Sequence, residues 1–105
     1  MYRISTYVTP DNQLCPFDEW FEQLDPKTQS RVEDRLDRVR AGNFGDHHSV
    51  GNGVRELRLM FGAGYRIYYG IVDGKIVLLL GGGSKKQQNR DIQAAKNCWM
   101  EFKGR

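Results

Sequence analysis

Three strand-like segments in the second half of the chain constrain its fold more than any other feature. Residues 54–59 (VRELRL), 64–72 (GYRIYYGIV) and 75–80 (KIVLLL) are rich in β-branched, aromatic and other apolar residues. Asp73-Gly74 separates the last two segments, and this pair is typical of a tight hairpin turn because both residues tolerate positive φ. The pattern therefore predicts a three-stranded antiparallel meander.

Alternation along these strands places charged residues on common faces. Glu56 and Arg58 share a face of the first strand, and Arg66 and Tyr68 share a face of the second. We therefore expect guanidinium groups to line a face of the sheet. The third strand is apolar without alternation over residues 76–80, as in a strand that is covered on both sides.

Helical spacing and capping residues predict three helices. Apolar residues at positions 17, 20, 21 and 24 form the buried stripe of a first helix, which begins after Pro16. Asp25 and Pro26 begin a second helix that ends at Gly42, and its charged residues of both signs predict solvated pairs along the helix. Ser84 opens a capping-box pattern (SKKQ) at the start of a last helix.

The expected fold class is α+β. Residues 2–8 alternate apolar and polar side chains, which predicts an N-terminal strand that joins the meander. Residues 43–53 are glycine-rich without periodicity and are interpreted as a loop. Together the elements predict a four-stranded, largely antiparallel sheet with an N-terminal helical hairpin packed on it and a C-terminal helix.

Length and composition favour one cytoplasmic domain that comprises residues 1–105. At 39% hydrophobic residues the chain can form one modest core, but no run approaches the roughly 18 apolar residues of a membrane span. No basic-then-apolar leader is visible at the N-terminus, so we expect no signal peptide and no membrane partner. Cys15 and Cys98 lack metal-ligand spacing and are expected to be free thiols.

The net charge of +3 is divided unevenly along the chain. Residues 1–50 contain six Lys/Arg against nine Asp/Glu, a balance of −3, whereas residues 51–105 contain ten against four, a balance of +6. The basic second half suggests a polyanionic partner. An unevenly charged but merely solvated surface is the alternative.

Two groups of residues outside the strands could act on such a partner. Lys85 and Lys86 fall in the first turn of the predicted last helix, where cations oppose the helix dipole and a bound anion would compensate them. His47 and His48 lie in the predicted loop. Either histidine could transfer protons or hold a phosphate, or be exposed without a role.

Between residues 53 and 96 the chain resembles the RelE/ParE superfamily of toxins. The segments that carry the resemblance are GVRELR (53–58), GYRIY (64–68) and LLLGGGSKKQQ (78–88), followed by Asp91-Ile92 and Ala95-Lys96. The most similar branch is that of HigB-like, phage-related addiction module killer proteins. The resemblance extends over nearly the whole chain, including the helical hairpin.

This resemblance implies the toxin of a bacterial type II toxin–antitoxin pair with a RelE-like fold. RelE-like toxins are endoribonucleases that cleave mRNA in the ribosomal A site, without a metal or cofactor, whereas ParE-like toxins inhibit DNA gyrase. The implied partners are the ribosome, mRNA and an antitoxin, which we expect to be a helix-turn-helix protein encoded next to the toxin. An inactive binding or regulatory module is the third alternative.

The resemblance also implies site residues. Arg66 corresponds to the arginine of the family's Gly-Tyr-Arg motif and would clamp the scissile phosphate on a solvent-reachable sheet face. Lys85 and Lys86 correspond to the basic pair after the last strand and would stabilise developing charge or the leaving group. His48 stands at a loop position that is often lysine in this branch and is a candidate for catalysis. The candidate RNA-binding residues are Arg58, Arg55, Tyr68 and Arg90.

Overall fold

The chain forms a five-stranded mixed sheet with helices against both of its faces. The computed structural model describes all residues, 1–105. In chain order the elements are β1 (Arg3–Thr6), α1 (Pro16–Glu22), α2 (Pro26–Arg40), β2 (His47–Gly51), β3 (Val54–Leu59), β4 (Tyr65–Val72), β5 (Ile76–Gly83), a 3₁₀ turn (Lys85–Gln87) and α3 (Gln88–Lys103). The strand order is β1-β5-β4-β3-β2, in which β1 is parallel to β5 and all other neighbours are antiparallel.

The predicted α+β class and the meander of β3, β4 and β5 are confirmed, but the sheet has five strands, not four. The additional strand is β2, which falls in the segment that we interpreted as a loop. As an exposed edge strand with the sequence HHSVG, it has no apolar alternation to reveal it. The signal for it was Asn52-Gly53, whose positive φ angles of 58° and 83° form the turn into β3.

The three predicted helices are present, with differences at their ends. The helical hairpin is matched only in part. The seven residues of α1 end at Glu22, before the last predicted stripe position at residue 24, and the fifteen residues of α2 end at Arg40, before Gly42. The capping box is not formed: Ser84 makes no side-chain capping hydrogen bond, and Lys85 and Lys86 lie in the 3₁₀ turn that precedes α3. None of the helices has the length and apolar character that crossing a bilayer requires.

Two apolar clusters hold the helices on the sheet. Residues of α1 and α2 pack against one sheet face, which carries Leu57, Ile67 and Leu79. On the other face, which we call the α3 face, Ala95 and Trp99 of α3 pack against strand residues that include Val54, Tyr68, Leu78 and Leu80. The inner strands are therefore covered on both sides, as predicted for β5.

Gly70 is expected to be required for α3 to pack closely against β4. A Cβ atom built at Gly70 would lie 2.4 Å from the Trp99 ring, so the helix approaches β4 as closely as the missing side chain permits. We expect Gly70→Ala to lower the free energy of unfolding by about 1–3 kcal/mol, the usual effect of overpacking a well-packed core. Urea denaturation measures this effect. Gly104→Ala is the control, because its Cβ would meet only atoms at 3.4 Å or more, and an equal loss in both variants would contradict the account.

Candidate functional site

Polar side chains of three neighbouring strands form two rows across the α3 face. In the first row His48 of β2 lies opposite Glu56 of β3, which lies opposite Tyr68 of β4. In the second row Arg58 of β3 lies opposite Arg66 of β4. Residues directly opposite in antiparallel strands project from the same face. The two predicted pairs, Glu56 with Arg58 and Arg66 with Tyr68, are therefore confirmed, and the register places both pairs on the same face together with His48.

Glu56 is the centre of this group. Its carboxylate is buried, with a side chain only 1% exposed, and it accepts a hydrogen bond from Arg58 Nε at 2.8 Å. Gln88 Nε2, at the start of α3, donates to the same carboxylate at 3.1 Å. Arg66 Nε lies 3.8 Å from the second oxygen. One buried carboxylate thus accepts a hydrogen bond from the guanidinium of Arg58 and lies near that of Arg66. Glu56, Arg58 and Arg66 together retain a net positive charge.

Arg66 is buried, which corrects the expectation that it lies on a solvent-reachable face. The residue is only 6% exposed, and its Nη1 donates to the carbonyl oxygen of Gly64 at 2.8 Å. The sequence does not reveal this burial, because the arginine contacts the β3–β4 loop and Glu56 only after the chain has folded. Its orientation is therefore fixed by the hydrogen bond from Nη1, whereas its buried Nε has no hydrogen-bond partner.

A positively charged cleft opens beside this buried pair, and we call it the basic cleft. Its lining consists of the β3–β4 loop (residues 60–64) and the side chains of Arg58, Arg66 and Lys85, with no acidic residue. The backbone N–H of Lys85 donates to the carbonyl oxygen of Ala63 at 3.3 Å, which joins the 3₁₀ turn to the loop. Three cations without a lining carboxylate favour an anionic ligand here.

Lys86 and Arg90 extend the positive surface beyond the basic cleft. They line a neighbouring depression that has no apolar residue and that shares Lys85 with the cleft. Arg90 is exposed and makes its contacts within the helix start, to the side-chain oxygen of Gln87 and to Asp91 at 3.8 Å. The structure therefore brings Arg58, Arg66, Lys85, Lys86 and Arg90 onto one continuous surface.

Two of the candidate RNA-binding residues do not belong to this surface. Arg55 lies opposite Tyr69 and projects from the other face of the sheet. Tyr68 is on the α3 face but is fully buried beneath α3. Burial, followed by the charges of Glu56 and Asp91, raises the pKa of Tyr68 well above its ordinary value. Contact between the Tyr68 ring and RNA therefore requires α3 to move.

His48 is exposed at the edge of the α3 face. Its Nε2 lies 2.8 Å from Asp46 Oδ1, and the side chain is 46% exposed. The backbone of Asp46 in turn accepts a hydrogen bond from the N–H of Arg58 at 3.0 Å. A carboxylate that holds one ring nitrogen selects the tautomer and the ring orientation. His48 does not line the basic cleft itself.

Asp91 is a further carboxylate near the site, on the first turn of α3. Its Oδ2 is buried without a hydrogen-bond partner and packs over Gly83, where a Cβ atom would overlap it. Burial raises the pKa of this carboxyl, and the charge of Arg90 opposes that shift. No group of three or more His, Cys, Asp or Glu side chains that could hold a metal ion is present.

Two residues that organise the site do not stand out in the sequence. Alternation places Glu56 on the correct face, but only its burial shows that the other polar groups are arranged around its carboxylate. Arg35 of α2 was counted among solvated charges, yet it is buried and donates to the carbonyl oxygens of Arg58 (2.7 Å), Phe44 (3.0 Å) and Asp46 (2.8 Å). The available signal for Arg35 was its position beside the apolar stripe of Val32, Leu36 and Val39.

Fold and site together define a small α+β protein with a cation-lined cleft suited to a polyanion. The chain belongs to the Gp49-like family of phage-derived proteins (DUF891), whose profile matches residues 19–98. This matched segment contains every candidate site residue that we named. The family is a phage-derived, toxin-like module related to the RelE and HigB addiction modules, so the chain is a member of a toxin-like family.

The chain is also similar to a protein from Haemophilus influenzae. This uncharacterized protein is 42% identical to the chain over 87 residues, which cover 82% of this chain and 88% of the relative. Its similarity therefore extends over nearly the full length of both proteins.

Proposed function

We propose that this protein is the toxin of a type II toxin–antitoxin system and acts as a ribosome-dependent mRNA endoribonuclease of the HigB-like kind. The observation that carries the proposal is the basic cleft, in which Arg58 and Arg66 lie against the buried Glu56 and Lys85 is exposed. Two guanidinium groups and an ammonium group in one cleft are suited to a phosphate at which charge develops.

The reaction we infer is attack of a ribose 2′-hydroxyl on the adjacent phosphate, which forms a bond from the 2′-oxygen to phosphorus and breaks the bond to the 5′-oxygen. Arg66 and Arg58 hold the scissile phosphate, because their orientations are fixed before the substrate binds. Lys85 or Lys86 stabilises the developing negative charge or protonates the leaving 5′-oxygen. No metal or cofactor takes part in this proposed reaction.

His48 is the candidate to accept the 2′-hydroxyl proton. Its Nε2 lies beside Asp46, and His48 stands opposite Glu56 in the register of the sheet. Strand β3 lies between His48 and Arg66, and His48 is outside the lining of the basic cleft. The RNA strand therefore has to extend from the cleft to the edge of the sheet for this role. Loss of cutting in His48→Gln, with RNA binding retained, is the expected result; cutting at the wild-type rate would assign the histidine no chemical role.

The partners of such a toxin are the ribosome, mRNA and an antitoxin encoded beside it. We expect an acidic antitoxin segment to cover the positive surface formed by the cleft, Lys86 and Arg90, because opposite potentials attract and silencing requires the cleft to be closed. Lys85 should then be protected from acetylation in the complex. Equal reactivity of Lys85 in the free and bound toxin would contradict this arrangement.

The proposal is tested with purified protein on ribosomes that translate a defined mRNA in the presence of Mg²⁺. We expect cuts that depend on translation, and no effect on DNA supercoiling by gyrase in a parallel assay. Inhibition of gyrase with intact mRNA would instead favour a ParE-like toxin. If neither mRNA nor gyrase is affected, the protein is an inactive or regulatory module and the nuclease proposal is wrong.

A further inference from the structure

A second positively charged groove lies on the α2 side of the β3–β4 loop, outside the basic cleft. Its lining comprises Arg31, Asp34, Arg35, Arg38, Leu59, Met60 and Phe61. Met60 and Phe61 also line the basic cleft. The two positively charged depressions are therefore separated only by the β3–β4 loop, and we call the second one the α2 groove.

Arginines dominate the charge of the α2 groove. Asp34 is its only acidic residue. The sequence predicted that the charges of α2 pair along the helix, but the only such pair is that of Arg40 with Asp37 at 2.6 Å. Arg31 and Arg38 are exposed and have no carboxylate oxygen within 4.0 Å. Neither arginine therefore forms an ion pair within the protein.

Arg35 forms the floor of the α2 groove and is not available to a ligand. Its two terminal nitrogens donate to backbone carbonyl oxygens, including that of Arg58, as described above. Burial, followed by the nearby charge of Arg38, lowers the pKa of Arg35. The arginine therefore connects the α2 groove to the strand that carries Arg58 in the basic cleft, and it adds positive charge beneath both exposed arginines.

The α2 groove also presents an aromatic ring and a thioether. The guanidinium carbon of Arg31 lies 4.7 Å from the centre of the Phe61 ring, and Met60 is 80% exposed. The α2 groove and the basic cleft share Met60 and Phe61 and are both lined by arginines, which favours one polyanion that extends over both depressions.

We propose that the α2 groove binds the phosphate backbone of the same RNA strand that enters the basic cleft, so that this strand crosses the β3–β4 loop. The inference rests on the proposed function and specifies the path of its substrate. Arg31 and Arg38 contact phosphates of this strand. The groove thereby adds affinity only for strands long enough to extend over the loop.

The test compares two double variants that lose the same charge. Arg31→Gln/Arg38→Gln removes the exposed arginines of the groove, whereas Arg3→Gln/Arg40→Gln removes two exposed arginines outside it. Binding of single-stranded, 2′-O-methylated RNAs of two to twelve nucleotides is followed by fluorescence anisotropy at several salt concentrations. The methylated strands cannot be cut, so the assay reports binding alone.

For the groove variant we expect unchanged binding of the shortest strands and about 10-fold weaker binding of the longest. Its slope of log K against log salt should be less steep by about 1.4, since each phosphate contact of a single strand contributes about 0.7. In the control variant, the affinity should depend on the length of the RNA strand as it does in the wild type. If the affinity depends on strand length in the same way in the groove variant and the control, the inference is overturned.

Two further measurements separate this inference from its alternatives and from the proposed function. A loss that appears only with the antitoxin, or only with ribosomes that carry no mRNA, would overturn the inference, because the groove would then bind a protein or ribosomal RNA. The proposed function depends on the basic cleft, and Lys85→Ala should reduce mRNA cutting on translating ribosomes while leaving the length dependence of RNA binding unchanged. If the wild type cuts no mRNA on translating ribosomes, the proposed function fails, whatever the groove variant does.

Discussion

Glu56→Ala is expected to lower the free energy of unfolding by about 3–5 kcal/mol. The substitution removes the only carboxylate that faces the buried guanidinium of Arg66, and breaking a buried ion pair from one side leaves the other charge uncompensated in a medium that solvates it poorly. Gln88 and Arg58 also lose their acceptor. Thermal and urea denaturation measure the loss.

Two control variants show whether the loss of stability comes from the buried carboxylate. Asp37→Ala breaks the surface pair with Arg40, in which both side chains are at least half exposed, and should change stability little. Glu56→Gln keeps the shape and one acceptor oxygen, so it should lose less than the alanine variant. A loss below about 1 kcal/mol in Glu56→Ala would mean that Arg66 is solvated in the folded protein, contrary to its burial.

Lys85→Ala is expected to have the largest effect on activity, a decrease of about 100-fold or more in mRNA cutting. A preorganised donor at developing charge contributes this much when its removal leaves the rest of the site intact. Because the side chain is exposed, the free energy of unfolding should not change measurably. The rate of cutting on translating ribosomes and the melting temperature are measured on the same preparation.

The control for this prediction is Lys75→Ala, which removes an exposed lysine from the β4–β5 hairpin, away from the basic cleft. It should cut mRNA at the wild-type rate. Arg66→Ala, in contrast, should lose both activity and stability, because the arginine is buried against Glu56. Wild-type cutting by Lys85→Ala would show that this cation is not at the reacting phosphate.

The meander and the charged face could be predicted from the sequence because both depend on local rules. Alternation determines that Glu56, Arg58, Arg66 and Tyr68 share faces within their strands, and Asp73-Gly74 determines where β4 turns into β5. No tertiary information is needed for either result.

The missed features depend on contacts between distant segments. β2 is stabilised by pairing with β3 and not by apolar side chains of its own, so periodicity could not detect it. Arg66 contacts Glu56 and the carbonyl oxygen of Gly64 only in the folded chain. Arg35 changes from a surface charge to a buried donor because the carbonyl oxygens of Arg58 and Asp46 converge on it. Charge type alone does not determine these environments.

The most direct test of the nuclease assignment is the mapping of RNA 5′ ends in cells after a short induction of the wild type and of Lys85→Ala. In cells that express the wild type, we expect new 5′ ends inside translated reading frames and in phase with codons. These ends should be nearly absent in Lys85→Ala and absent when translation is blocked before induction. Growth arrest by the wild type without such ends, or the same ends in both proteins, would contradict the assignment of the basic cleft to mRNA cleavage.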